Sequence, residues 1–177
     1  MKKHTMITIS REYGSGGHEI AELLAQKLGI KEYDNKLLTI AAQESGYAPE
    51  IHAQAEMQYS NRLSMTLGQL SSEKEYNMPL NNHLFNVQAS VIRTIADSHS
   101  AVIVGRCADA ILKDYVPTIS IFLQASKPVR IARIMKIYGY SEAEAVRTID
   151  KMDKTRATYY NFYTDQKWGE RTNYDLI

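Results

Sequence analysis

A single cysteine, Cys107, leaves no partner for an internal disulfide anywhere in 177 residues. The chain must therefore be held by packing, and its thiol usage suits a reducing cytosol. An excess of either charge is missing too. The 21 basic and 20 acidic residues leave a net +1, so no global field recommends nucleic acid or an anionic membrane as a partner. Any anion site has to come from local clustering. No apolar run approaches the length of a membrane span. The opening MKKHTMITIS sets two lysines before only four apolar-leaning residues, too short a stretch for a signal peptide. Internal repeats, low-complexity tracts and obvious linkers are also absent. The expectation is a cytoplasmic protein, with residues 1–177 forming one domain large enough to bury a core.

What is present alternates. Met6–Ser10, Ala101–Gly105 and Thr118–Leu123 are short, β-branched, continuously apolar runs, as expected of parallel strands covered on both faces. Helical patterns separate them. Glu19–Leu28 sets Ile20, Leu23, Leu24 and Leu28 on one face and ends at Gly29, a C-terminal cap. Asn82–Ala96 carries a stripe of Leu84, Val87, Val91, Ile92 and Ile95. Lys127–Tyr138 begins after Ser126 with Pro128 in its first turn, and Ser141-Glu142-Ala143-Glu144 spells a capping box for a further helix. Strands alternating with helices imply βαβ units in a three-layer α/β/α domain. Residues 46–81 differ: rich in Gln, Ser, Asn, Met and Tyr, with Pro49 and Pro79, they suggest a helical insertion over one edge. The closing TNYDLI starts like a strand, which raises the expectation that the natural chain continues beyond Ile177.

The stretch ISREYGSGGHEI joins the first strand to the first helix through Gly14, Ser15, Gly16 and Gly17, with His18 following. Glycines at that junction allow positive φ and let backbone N–H groups converge on an anion at a helix N-terminus. A glycine-rich turn without a ligand would look similar. The strand before it and the helix after it favour the phosphate loop.

The loop, the VIVGRCAD segment and the DKMDKTR segment, in that order and spacing, resemble the bacterial cytidylate kinase family, and more closely its divergent cytidylate kinase-like branch. The resemblance runs from the first strand to the end of the lid. It implies a P-loop NTPase-type fold with a parallel sheet, a helical acceptor insertion at 46–81 and a helical lid over about residues 127–165. Where the family has Gly-Ser-Gly-Lys-Ser, this chain has Gly14, Ser15, Gly16, Gly17 and His18. The phosphate-gripping lysine is thus a glycine, and the magnesium-binding serine a histidine. Val104 stands for the acidic residue before Gly105-Arg106, and Cys107 for the aspartate after them. No residue is assigned as a metal ligand. ATP is the implied cofactor, with Mg2+ carried mainly by the nucleotide.

Arg11 enters the loop from the strand end and offers a forked cation in place of the lysine; the alternative is a surface ion pair with Glu12 or Glu19. His18 either donates to phosphate or faces solvent from the first helical turn. Arg130 and Arg133 lie at i, i+3 on one helix. On the next, Arg147, Asp150, Lys151 and Lys154 follow at i, i+3, i+4, i+7 and lead to Arg156. Phosphoryl transfer needs such cations around the charge that spreads over the moving group, and a lid can bring them. By the resemblance, Asp150, Asp153 and Arg156 match the lid motif. Arg11, Arg130, Arg133, Arg147, Lys151 and Arg156 are the candidate catalytic set.

On the acceptor side, Asp34 ends the short second strand where the resemblance places an acceptor-binding aspartate, and Arg106 and Arg93 would flank that pocket. Asp109 either approaches a ribose or metal or pairs with Arg106. The expectation is an ATP-dependent phosphotransferase acting on CMP, another nucleoside monophosphate or a related small molecule. Its alternative is a nucleotide-binding regulatory module that lacks transfer.

Overall fold

Strand β1 (Met6–Arg11) is the central spine of a four-stranded parallel sheet, ordered β2-β3-β1-β4, in the computed structural model, which describes residues 4–48, 50–51 and 77–177. Its neighbours are β3 (Ala101–Val104), with Ile9 beside Val104, and β4 (Thr118–Leu123), with Arg11 beside Leu123; β2 (Lys31–Tyr33) pairs with the far side of β3. Residues 49 and 52–76 of the expected insertion lie outside the described residues.

Alternation along β1 divides the core. Met6 packs with Ile103, Ala101 and Tyr33 against α2 (Asn35–Ser45), α3 (Asn77–Ser98) and α4 (Ala108–Leu112), where Leu37, Ile92 and Leu112 are fully buried. Ile7 and Ile9 face the other way with Val102 and Val104, against α1 (Gly17–Leu28). Helices on both faces of a parallel sheet make the chain a three-layer α/β/α domain, as continuous apolar strands require. No helix among the described residues is long and apolar enough to cross a membrane.

The expected apolar face of α1 is not the buried one. Ala21 and Ala25 meet the sheet, while Ile20, Leu23 and Leu28 are 41%, 56% and 52% exposed. Small side chains let the helix backbone approach the strands closely, and that proximity wins over the larger leucines. The stripe expected on α3 does turn inward: Leu84, Val91, Ile92 and Ile95 are buried.

Helices α5 (Lys127–Tyr138) and α6 (Glu142–Thr164) form a hairpin across the loop end of the sheet. Gly139 breaks the first with φ 70°, and the capping box starts the second: the Glu144 N–H donates to Ser141 Oγ, and the Ser141 N–H to Glu144 Oε2 at 2.9 Å. Ile134, Ala145 and Ile149 seal the hairpin around Tyr13. The terminal TNYDLI forms only the end of a 3-10 turn (Arg171–Asn173) and one parallel bridge from Leu176 to Ile121, with Asp175 accepting from the Ser120 N–H and hydroxyl.

Candidate phosphate-binding site

The turn after β1 folds as its glycines demand. Gly14 and Gly16 hold φ 82° and 91°, which L side chains rarely adopt, and a Cβ on Gly14 would crowd the Arg130 carbonyl and Ile134 at 3.1 Å. The Ser15 hydroxyl turns back to the Glu12 carbonyl (2.9 Å) and ties the loop's shoulder. Gly16 occupies the N-cap of α1 with no side-chain cap, so the first-turn N–H groups point into the cleft uncovered by a hydroxyl or carboxylate of their own cap.

Arg11 explains Gly17. The strand's last residue sends its side chain along the loop, so that a Cβ on Gly17 would sit 2.6 Å from Arg11 Cγ and 2.9 Å from its Cβ. A Cβ on Gly105, at the end of β3, would collide with Arg11 Nη1. Two glycines from different parts of the chain thus form a slot for one arginine. Arg11 Nη2 emerges 3.7 Å from Asp34 Oδ1, while His18 Nδ1 lies 3.3 Å from the other oxygen, Asp34 Oδ2. The ion pair expected as the alternative for Arg11, with Glu12 or Glu19, is replaced by one with Asp34. Glu12 receives the Ala125 N–H, and Glu19 pairs with Arg133 at 2.9 Å.

The hairpin places its cations in three different ways. Arg133 reaches over the loop, its Nη1 2.9 Å from where a Gly16 Cβ would be. Arg156 lies on the inner face of α6, donates to the Arg11 carbonyl at 3.0 Å and stacks over the Tyr13 ring at 5.3 Å. Burial pushes its guanidinium below the usual value, against the opposing pull of Asp153 and Asp34. Among the described residues no carboxylate forms an ion pair with Arg156. Arg130 is buried beneath the loop, bridging Asp153 Oδ2 (2.5 Å) and the Tyr13 carbonyl (3.2 Å), while Asp153 Oδ1 accepts the Tyr13 N–H at 2.7 Å. Arg147 and Lys151 are exposed on the outer side of α6 and do not line the cleft.

A cleft of about 580 Å³ opens between these elements, lined by Arg11, Gly14, Gly16, Gly17 and His18 from the loop side. Arg133 and Arg156 line it from the hairpin, and Asp34 and Arg106 from the strand ends. Arg106 is delivered by a left-handed turn: Gly105, Arg106 and Cys107 hold φ of 72°, 61° and 56° in succession. Two non-glycine residues in that region carry strain, which concentrates where the chain must aim a side chain. Asp109 sits behind the cleft wall, accepting a 2.7 Å hydrogen bond from Tyr160. Burial holds its carboxyl above the usual range, and the Tyr160 bond only partly offsets that. Arg93 is exposed on α3 beside the Tyr115 ring, away from the cleft lining.

Tyr13 and Tyr138 escaped the sequence reading. Burial and the hydrogen bond that the Tyr13 hydroxyl donates to Tyr138 push that hydroxyl up to about 12, and Tyr138 itself lines the cleft mouth. An aromatic before a glycine loop carries no motif; the lid motif names Asp153, and the structure shows what it does, joining the Tyr13 N–H to Arg130.

The family's magnesium positions do not suit that ion here. His18 offers an imidazole nitrogen in place of a hydroxyl and Val104 is a fully buried alkyl group, whereas Mg2+ demands oxygen ligands.

Comparison with known proteins gives the family and the fold. None of the curated proteins matches the chain. The crystal structure of an uncharacterised protein from Eubacterium ventriosum is 31% identical, covering 98% of this chain and 86% of its own, at a TM-score of 0.73. Shikimate kinase from Bacteroides thetaiotaomicron is 14% identical over 96% of this chain and 90% of its own, with a TM-score of 0.49. A gluconokinase from Sinorhizobium meliloti is 12% identical over 93% and 96%, at 0.42. The sequence profile of the cytidylate kinase-like family matches residues 6–177. With a glycine loop after the first strand, Arg106 after the third and Arg156 on α6 all lining one cleft, this chain belongs to the cytidylate kinase-like family.

Proposed function

We propose that the chain is an ATP-dependent phosphotransferase whose acceptor is a nucleoside monophosphate, CMP-like, or a related small molecule. The observation that supports this best is Arg156: a guanidinium drawn into the cleft wall at the positive end of α1, with no carboxylate ion-paired to it among the described residues. A half-buried cation lining one cleft with a helix N-terminus is unfavourable unless an anion completes the site. Polyphosphate is the anion this geometry suits.

In the proposed reaction an acceptor oxygen attacks the γ-phosphorus, the bond from that phosphorus to the β,γ-bridging oxygen breaks, and ADP leaves with the electron pair. The loop N–H groups and Arg11 hold the β- and γ-phosphates. Arg133 and Arg156 face the equatorial oxygens, where charge spreads in the transition state, so their contribution is electrostatic positioning. Asp34 and Arg106 orient the acceptor. Mg2+ enters as part of the nucleotide substrate.

The other reading, a nucleotide-binding module without transfer, is favoured by one specific observation: Gly17 has no side chain to follow the γ-phosphoryl group. Incubating the protein with γ-labelled ATP and a panel of nucleoside monophosphates separates the two. Label in a monophosphate product supports the kinase. ATP binding with no labelled product from any acceptor supports the module.

A further inference from the structure

We propose that His18, Glu32 and Asp34 form a site for a divalent transition metal of the Mn2+, Co2+ or Zn2+ class, held by the protein itself at the mouth of the cleft. One ligand atom from each lies within 4.8 Å of the others. They come from three successive elements: the first turn of α1, strand β2 and the N-cap of α2.

The donor set is selective. One imidazole nitrogen with two carboxylates suits Mn2+, Co2+ and Zn2+ better than Mg2+. His18 stands where an oxygen donor would serve Mg2+, so the residue that weakens the family's usual metal position creates this one. Asp34 is only 8% exposed and divides its two oxygens: Oδ1 faces Arg11 at 3.7 Å and Oδ2 faces His18 at 3.3 Å. A metal on Oδ2 therefore leaves the Arg11 contact in place.

Glu32 supplies an independent sign of a ligand. Its Oε1 is shielded from solvent and has no hydrogen-bond partner among the described residues. Carboxylate oxygens in that condition are costly unless something positive meets them. Metal–ligand bonds of about 2.0–2.2 Å bring ligand atoms within roughly 4 Å of each other. The 60% exposed His18 side chain is the one with freedom to close that gap.

The test needs no nucleotide, so its result stands apart from the phosphotransfer reading. The purified full chain is stripped with chelator and titrated with Co2+, following visible absorption and, by equilibrium dialysis, stoichiometry. One Co2+ per chain is expected, resisting a tenfold excess of Mg2+ and displaced by Zn2+. Glu32→Gln and His18→Ala should each weaken binding by about 10-fold or more, while His83→Ala on α3 leaves it unchanged. Metal-free circular dichroism of each variant establishes that it is folded. No stoichiometric Co2+, equal displacement by Mg2+, or undiminished binding in both folded variants would overturn the site.

Discussion

Arg11 and Gly17 share one space: a Cβ on Gly17 would lie 2.6 Å from Arg11 Cγ. On the proposed phosphate-binding role of Arg11, the strand's arginine occupies the space that a lysine at position 17 would need. Restoring the lysine alone should harm the protein. Gly17→Lys must displace Arg11, so ATP affinity should fall rather than rise. Combining it with Arg11→Ala should recover affinity toward wild type, a non-additive outcome that titration calorimetry on the four proteins reads directly. Additive losses would mean the two positions do not compete.

Arg156 is expected to matter most when charge develops. Arg156→Ala should lower kcat by about 10³-fold, the order seen when a clamping arginine is removed from phosphoryl transfer, with much less change in ATP affinity. Steady-state kinetics beside a binding isotherm separates those effects. A variant that loses affinity in proportion to turnover would place Arg156 in ground-state binding.

Asp153 ties the hairpin to the loop through the Tyr13 N–H and Arg130. Replacing it with Ala leaves a buried guanidinium whose remaining ion-pair partner among the described residues is Glu12, at 3.5 Å. Stripping one partner from such a pair costs about 3 kcal/mol. In a domain of this size that lowers the melting temperature by about 10 °C. A shift within a degree of wild type would show that the ion pair is not holding the hairpin.

Asp109 makes stability depend on pH in an unusual sense. Its carboxyl is raised above the usual value by burial, so the folded state holds the proton more tightly than the unfolded chain does. The stabilising contribution is complete below the unfolded value and is lost as pH rises through the folded one. Asp109→Asn stays neutral and keeps an oxygen for Tyr160. The melting temperature of wild type minus that of Asp109→Asn should therefore fall as pH rises above about 4, the unfolded carboxyl's value. A difference that rises with pH would reverse the sign of the burial effect.

The sheet was legible because β1 and β3 are β-branched and buried on both faces, leaving no polar alternation to confuse the period. The face of α1 was not. Hydropathy weights Leu23 and Leu28, while Ala21 and Ala25 carry the contact because helix and strand sit close together. The cations of the hairpin divide for a similar reason. Spacing groups Arg147 with Lys151, but α6 runs 23 residues against the loop, and only the face carrying Ile149, Asp153 and Arg156 turns inward. Arg11 could be singled out as a cation at the strand end. The slot between Gly17 and Gly105 could not be, since 88 residues separate its two walls in the chain and only the register of β1 beside β3 brings them together.

The most direct measurement is the affinity of wild type, Arg11→Lys and Arg11→Ala for ATP by titration calorimetry. A charge-assisted hydrogen bond to phosphate contributes about 1.5–3 kcal/mol. Arg11→Ala should therefore weaken ATP by about 10-fold or more, with Arg11→Lys between the two because it keeps the charge and loses the fork. Folded Arg11→Ala protein that binds ATP as tightly as wild type would contradict the assignment of Arg11 to the vacated lysine's place.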